Sequence, residues 1–270
     1  MTELTLKEIQ QTELELLRRF GRICEENHLR YSLGGGTLLG AIRHKGFIPW
    51  DDDVDVMMPR PDYEKFLAFC GEHDTAFQLI SYENNSNYID LFAKIYDSST
   101  TIVDEVNARD YPVGVYIDVF PLDGLGATNE EAVKRFRKTS FQRELLNARG
   151  WKNYARSKTH SILLEPVRLG LFLLSRFANS QKLLRKIDSV NKGMDFDDAA
   201  YAGCVCGSYR EKEIMKADVF REFIPVEFEG EIFSVIRAYD DYLKMHYGNY
   251  MLLPPEEKRQ THHTYKAYKK

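Results

Sequence analysis

The chain of 270 residues has few cysteines, no long apolar run and no segment of biased composition. Its four cysteines are scattered, and Cys204 and Cys206 form a C-x-C pair rather than C-x-x-C. This argues against a disulfide scaffold, a zinc knuckle and a redox pair, so we expect reduced thiols. No stretch approaches the roughly eighteen apolar residues of a membrane span. The first residues also lack the basic-then-apolar pattern of a signal peptide, so we expect a cytoplasmic protein.

The charge of the chain is unevenly distributed, although its overall composition is that of an ordinary globular protein. Residues 131–190 contain 14 Lys and Arg against 4 Asp and Glu, a net charge of +10, within a chain whose net charge is −4. No linker rich in Gly, Pro or Ser and no internal repeat is visible. We therefore predict one domain over 1–270, with a core at about 28–125 and 200–263 and a basic helical insertion at about 129–192.

Hydrophobic periodicity predicts an α+β protein, a mixed sheet with flanking helices. Residues 5–28 repeat apolar side chains at helical spacing, and Thr5 and Glu8 match a capping box. We interpret this helix as a packing element. The other expected elements are helices starting near residues 37, 61 and 238, strands at 31–33, 53–56, 77–82, 91–96 and 115–121, and a hairpin at 220–236.

The stretch from residue 31 to residue 58 carries the clearest chemical signal. Residues 34–36 are three glycines that follow a short apolar run and precede a helical segment. A bare backbone approaches ligands closely, and a helix N-terminus attracts phosphate. Further on, Asp53 and Asp55 alternate with valines, which places both carboxylates on one face of a strand. Their repulsion is relieved by a hard divalent cation such as Mg²⁺, with Mn²⁺ as a substitute. A plain turn and a solvated acidic loop are the alternatives for the separate fragments.

A third carboxylate comes from Asp118, which interrupts the apolar strand at 115–121. A lone aspartate is costly to bury in such a strand. If this strand lies beside the one that carries Asp53 and Asp55, three carboxylates converge. The alternative is an aspartate that caps the following turn.

The basic segment at 161–187 combines apolar residues at helical spacing with interspersed Lys and Arg. Pro166 should start or kink this helix, because proline disrupts a helix interior. Such a segment fits peripheral contact with an anionic membrane, and a packed helix with a solvated face is the alternative. No nucleic-acid-binding motif accompanies the basic residues, so we expect no nucleic acid partner.

Two strings resemble the LicD family, which also includes fukutin and fukutin-related protein and has a nucleotidyltransferase-like fold. They are GGGTLLGAIRHKGFIPWDDDVDV at 34–56 and IDVFPLD at 117–123. The C-terminal pattern from FEG at 228–230 to the histidine pair at 262–263 is similar to the same family. The resemblance runs from about residue 28 to residue 263 and is loose over 125–200.

The resemblance implies a phosphotransferase that moves phosphocholine from CDP-choline to a sugar hydroxyl of a teichoic acid or another lipid-linked glycan precursor, with release of CMP. It implies that Asp53, Asp55 and Asp118 are catalytic and bind the metal. The alternatives are transfer of another CDP-linked group such as ribitol phosphate, nucleotidyl transfer to a small soluble acceptor, and a non-catalytic glycan- or nucleotide-binding relative. The fold analogy alone does not decide between them.

Further residues are predicted to bind substrate through backbone amides, cationic groups or rings. They are Gly34, Gly35, Gly36, Thr37, Arg43, His44, Trp50, Lys94, Arg259 and His262. A choline cargo also needs a cage for its quaternary ammonium. The candidates are Trp50, Tyr96, Tyr116, Tyr247 and Tyr250. For Arg43, Lys94 and His262, a solvated surface position is the alternative.

Overall fold

The structure, a computed structural model, describes residues 1–104, 106–107, 111–156, 161–207, 209–261, 263 and 265–270. The helices are α1 (Leu6–Glu26), α2 (Gly35–His44), α3 (Arg60–Glu72), α4 (Asn129–Arg137), α5 (Ser140–Arg149), α6 (Glu165–Phe177), α7 (Ser180–Asn191) and α8 (Tyr239–Tyr247). The strands are β1 (Thr2–Glu3), β2 (Ser32–Leu33), β3 (Asp55–Pro59), β4 (Gln78–Ile80), β5 (Ala93–Tyr96), β6 (Thr100–Val103), β7 (Tyr116–Gly126), β8 (Tyr201–Gly203), β9 (Met215–Lys216), β10 (Phe223–Phe228), β11 (Glu231–Ile236) and β12 (Lys266–Lys269).

The central sheet has the strand order β2-β3-β7-β5-β4, and β8 and β9 continue from the far end of β7. Strands β3 and β7 are parallel, and their other neighbours are antiparallel. Helices pack against this mixed sheet, so the α+β prediction is confirmed. The register places Asp55 beside Asp118 on one side, and Lys94 beside Asp118 on the other.

The first helix forms where the sequence predicts it. The Thr5 hydroxyl accepts a hydrogen bond from the Glu8 amide at 3.3 Å, and the Glu8 carboxylate accepts one from the Thr5 amide at 2.8 Å. This reciprocal cap satisfies two amides that the first turn of a helix leaves free. The apolar face of α1 enters the main core, where the Phe20 ring lies 5.0 Å from that of Phe66 in α3.

Two boundaries in the stretch from 31 to 58 differ from the prediction. Helix α2 begins at Gly35, so two of the glycines form its first turn instead of a loop before it. Strand β3 begins at Asp55, because its pairing with β7 starts there, and the Asp118 amide donates to the Val54 carbonyl at 2.9 Å. Asp53 therefore precedes the strand, and strand alternation does not set its orientation.

A second sheet of three strands, β1-β12-β6, is missing from the sequence prediction. Its strands have two or four residues, too few for a clear alternation, and β12 pairs with β6 across more than 160 residues. The hairpin β10–β11 and helix α8 form as predicted, with Gly248 ending α8 at a φ of 63°.

The described residues of the stretch 129–191 include the four helices α4–α7, which lie between β7 and β8 in the chain. Pro166 lies in the first turn of α6, as expected for proline, and Asn179 caps α7 by accepting from the Lys182 amide at 3.0 Å. A buried ion pair joins α7 to the sheet, because the Arg60 guanidinium contacts both Asp123 of β7 and Asp188 of α7. Within the described part of the chain, no helix combines the length and apolarity needed to cross a membrane.

Candidate active site

The junction between α2 and β3 is built around Asp55. The Gly34 amide donates to the Asp55 carbonyl at 2.8 Å, and the Thr37 hydroxyl accepts from the Asp55 amide at 2.9 Å. A Cβ on Gly35 would lie 2.8 Å from the Asp55 carboxylate, and one on Gly36 would lie 2.8 Å from the Asp51 carboxylate. Glycine is thus needed at both positions because two carboxylates occupy the adjacent space. Gly35 also has a φ of +47°, which favours glycine on its own.

Asp55, Asp118 and Lys94 lie side by side on three adjacent strands. The buried Lys94 ammonium donates to Asp118 and lies 3.9 Å from the centre of the Tyr116 ring. Burial raises the pKa of Asp118, and Lys94 opposes this rise. Burial and the charges of Asp53 and Asp118 raise the pKa of Asp55 well above its usual range. When both carboxyls of the row are ionised, they carry more negative charge than its one lysine balances.

A second acidic group lies just before Asp55 in the chain. Asp51, Asp52 and Asp53 each place a carboxylate oxygen within 4.8 Å of the others. Burial and the neighbouring Asp53 raise the pKa of Asp51 to about 8. Buried carboxylates that repel one another, with oxygen as the only donor atom, fit a hard cation such as Mg²⁺ and do not favour zinc. The predicted set Asp53, Asp55 and Asp118 and the compact set 51–53 share one aspartate.

Helix α1 also reaches the acidic group, which the interpretation as a packing helix missed. The Gln10 amide donates to the Asp51 carbonyl at 2.9 Å. Glu13 is completely buried, and neither of its carboxylate oxygens has a hydrogen-bond partner among the described residues. Burial, followed by the charges of the aspartates at 51–53, raises the pKa of Glu13 well above its usual range. The sequence did contain a signal for this contact, because Glu13 lies four residues after Ile9 and so falls on the apolar face of α1.

The C-terminal segment closes the other side of the acidic group. His263 Nδ1 lies 3.3 Å from an Asp52 carboxylate oxygen, and the Tyr265 hydroxyl donates to the Asp52 carbonyl at 3.1 Å. Burial lowers the pKa of His263, but the hydrogen bond to Asp52 and the nearby acids outweigh it, so the net shift is upward. His262 lies outside the described residues, and its predicted role stays a prediction.

A cavity of about 550 Å³ opens in front of these acids. Its volume lies in the range of small-molecule sites. Its wall includes predicted site residues from the stretch at 31–58 and aromatic residues from distant segments. They are Gly35, Gly36, Arg43, Trp50, Asp51, Asp53, Asp55, Tyr209, Tyr247 and Tyr250. Of the five proposed cage residues, the structure brings Trp50, Tyr247 and Tyr250 to this cavity, and it places Tyr116 against Lys94 instead.

The predicted cationic residues are held by protein groups. Arg43 donates to the Tyr250 carbonyl at 2.8 Å and to His44 Nε2 at 2.9 Å. Burial and the adjacent Arg43 lower the pKa of His44, which fits its role as an acceptor. Arg259 donates to the Pro254 carbonyl at 2.9 Å, and its guanidinium carbon lies 5.7 Å from the centre of the Trp50 ring. Arg43 thus lines the cavity, whereas Arg259 contacts two of its lining residues, Trp50 and Pro254.

Five predicted binding residues in the described part of the chain are not part of the cavity wall: Gly34, Thr37, His44, Lys94 and Arg259. Gly34 packs against Met57, since a Cβ there would lie 2.8 Å from that side chain. Thr37 holds the Asp55 backbone, and Lys94 holds Asp118. Gly34, Thr37 and Lys94 thus contact Asp55 or Asp118, whereas His44 contacts Arg43.

Comparisons with known proteins found a matching family model and several similar proteins. A family model described as "LicD/FKTN/FKRP, nucleotidyltransferase domain" matches residues 28–147, which include the glycines and all the acids from Asp51 to Asp118. The lipopolysaccharide cholinephosphotransferase LicD of Haemophilus influenzae is 35% identical over 277 residues, which cover 99% of each chain. An uncharacterized protein of Rickettsia prowazekii is 28% identical over 116 residues, 40% of this chain and 44% of that protein.

Proposed function

The chain belongs to the LicD family, and from this premise we propose that it transfers phosphocholine from CDP-choline to a sugar hydroxyl of a cell-surface glycan precursor, on a nucleotidyltransferase-like core. The similar Haemophilus protein is named for lipopolysaccharide, so a lipopolysaccharide precursor is the first acceptor to test. A teichoic acid precursor is the second.

One observation carries the proposal: aromatic rings and carboxylates line the same cavity. Trp50, Tyr247 and Tyr250 line the cavity, and aromatic rings attract a quaternary ammonium. Asp53 and Asp55 lie in the same wall and offer the oxygen ligands that a metal–phosphate site requires. Phosphocholine carries both groups, a quaternary ammonium and a phosphate, a short chain apart. The cavity thus fits the transferred group at both ends.

The reaction forms one bond and breaks one bond at the same phosphorus. The acceptor hydroxyl oxygen attacks the phosphate that bears choline, and the bond from that phosphorus to the oxygen bridging to CMP breaks. CMP leaves with the electron pair of that bond, and the hydroxyl proton is released.

Asp53, Asp55 and Asp118 would hold the Mg²⁺. Asp55 and Asp118 are register partners on β3 and β7, and Asp51 and Asp52 each place a carboxylate oxygen within 4.8 Å of one from Asp53. When bound, the ion neutralises phosphate charge and lowers the pKa of an attacking hydroxyl. The protein supplies the positioning. Thr37 fixes the Asp55 backbone, Lys94 fixes Asp118, and the glycines of α2 leave room for the carboxylates.

The test is incubation with CDP-choline, CDP-ribitol or CDP-glycerol and Mg²⁺, with CMP release as the readout. We expect CMP only from CDP-choline when the glycan precursor is present, and none in EDTA. Pyrophosphate release from CTP with a small acceptor would instead favour nucleotidyl transfer. CMP release from CDP-ribitol and not from CDP-choline would show that ribitol phosphate is the transferred group.

The matched variants are Asp55→Asn at the site and Asp241→Asn on the exposed side of α8. Asp55→Asn should lower turnover by at least about 100-fold, because it removes a charge that acts on the reacting phosphate. Asp241→Asn should behave as wild type, and thermal melts should show both variants folded. Near-wild-type turnover in Asp55→Asn would contradict the assignment.

A further inference from the structure

The segment from residue 162 to residue 177 exposes an unusual amount of apolar surface. Eight large apolar side chains in these sixteen residues are exposed, and Leu163 and Phe177 reach 83% and 91%. The full set is Ile162, Leu163, Leu164, Val167, Leu169, Leu173, Leu174 and Phe177. Soluble monomers rarely leave a continuous apolar patch of this kind uncovered, and larger patches mark protein or membrane contacts.

The charged residues of α6 point the opposite way, toward the protein. Arg176 donates to the carbonyls of Ala148 and Trp151 at 2.8 and 2.7 Å. Arg168 pairs with Glu165 at 2.8 Å, and Glu165 accepts from the Tyr154 hydroxyl at 2.5 Å. The helix is therefore docked by its polar groups and presents its apolar groups outward. A plain core helix with a solvated face would have the reverse arrangement.

Basic residues follow immediately in the chain. Lys182, Arg185 and Lys186 of α7 are exposed, and none of them forms an ion pair with another residue in the described ranges. The region at 131–190 has a net charge of +10, whereas the rest of the chain is acidic. An exposed apolar helix followed in the chain by exposed cations matches the chemistry of a membrane interface, with acyl chains next to anionic headgroups.

We propose that residues 162–177 form a membrane-binding element that lies in the surface of an anionic bilayer, with Lys182, Arg185 and Lys186 in contact with its headgroups. A second copy of the chain is the poorer occupant, because two regions of net charge +10 would repel each other. The inference depends on the proposed function only for its purpose, which is to bring the site to a lipid-linked acceptor.

The experiment is sedimentation of the full chain with vesicles of phosphatidylcholine that contain about 30% phosphatidylglycerol, an anionic fraction that sets the surface potential. Wild type should bind at low salt and dissociate at about 1 M NaCl, where charges are screened within a few ångströms. Leu174→Glu should weaken binding at least about tenfold, since it removes a leucine that the bilayer would bury and adds a negative charge. Ile232→Glu changes an equally exposed apolar residue on β11 and should bind as wild type.

A triple variant, Lys182→Gln, Arg185→Gln and Lys186→Gln, should weaken binding by on the order of 100-fold at low salt. Three results would overturn the proposal. They are no binding of wild type to anionic vesicles at any salt, unchanged binding of Leu174→Glu, and a dimer in solution that Leu174→Glu dissociates while vesicles capture nothing.

The readouts separate this proposal from the catalytic one. The melting temperature of Leu174→Glu should equal that of wild type, which excludes misfolding as the cause of lost binding. CMP release from CDP-choline with a short, water-soluble glycan acceptor should also be unchanged. If neither protein releases CMP but wild type still binds vesicles, the catalytic proposal fails and the membrane element stands.

Discussion

Gly36→Ala separates two explanations of the glycines in α2. One explanation is that they let a substrate phosphate approach the backbone. The structure adds another, since a Cβ at residue 36 would lie 2.8 Å from the Asp51 carboxylate, whereas ordinary contacts begin near 3.4 Å. The carboxylate must therefore move by about 0.6 Å. The backbone has no positive φ at Gly36, so alanine introduces no strain of its own.

We expect Gly36→Ala to lower catalytic activity and to leave the stability of the fold nearly unchanged. Displacements approaching 1 Å at a reacting centre cost up to about 100-fold in rate, so we expect kcat to fall by about 10- to 100-fold. The Mg²⁺ concentration for half-maximal activity should rise as well, because Asp51 is displaced from Asp53. The free energy of unfolding should change by less than about 1 kcal/mol, since alanine is the better helix residue.

The assay is CMP release over a range of Mg²⁺ concentrations, together with urea unfolding. The control is Gly71→Ala in α3, where an added Cβ meets nothing within 4 Å. It should stabilise the fold by about 0.5–1 kcal/mol and leave kcat unchanged. Wild-type kcat and an unchanged Mg²⁺ requirement in Gly36→Ala would refute the reasoning that Asp51 belongs to the site and needs this space.

Three further predictions concern the cavity, the acids and the buried ion pair. Trp50→Ala should raise KM for CDP-choline about tenfold, because it removes a desolvated cation–π contact with choline. The inhibition constant of CMP, which lacks choline, should be unchanged. An equal loss of affinity for CDP-choline and CMP would contradict a choline cage. The pKa of Asp51 is raised from about 3.8 in the unfolded chain to about 8 in the folded chain, so between these pH values only the folded chain holds this proton. Proton binding to Asp51 therefore stabilises the fold at low pH, and this stabilisation is lost as the pH rises toward 8. In EDTA the melting temperature of wild type should therefore fall from pH 5 to pH 8, and that of Asp51→Asn should fall less steeply. An equal dependence of melting temperature on pH in the two proteins would exclude Asp51 as the cause. Arg60→Met should cost about 3–5 kcal/mol in urea unfolding, because it leaves Asp123 buried and unpaired, whereas Arg137→Met at an exposed ion pair should cost less than about 1 kcal/mol. Similar costs for the two arginine variants would show that burial of the pair does not matter.

The sequence predicted elements whose signals are local. The capping box at Thr5, the proline at the start of α6 and the glycine after α8 each act on their own turn, so short spacing was enough to place them. The family resemblance, confirmed by the full-length similarity, also came from continuous strings. Strands β6 and β12 were missed because their pairing depends on residues far apart in the chain.

The site shows the same division. From the sequence alone came the glycines, the acids from 51 to 55 and Asp118, because each is an exception to an apolar or helical pattern. The tertiary structure decided what they contact. It placed Asp118 between Asp55 and Lys94, buried Glu13 of α1 against the acids, and brought Tyr247 and Tyr250 to the cavity of Trp50. It also turned the apolar face of α6 outward. Side-chain type and spacing encode local conformation, whereas strand register and helix docking depend on the packing of the whole chain.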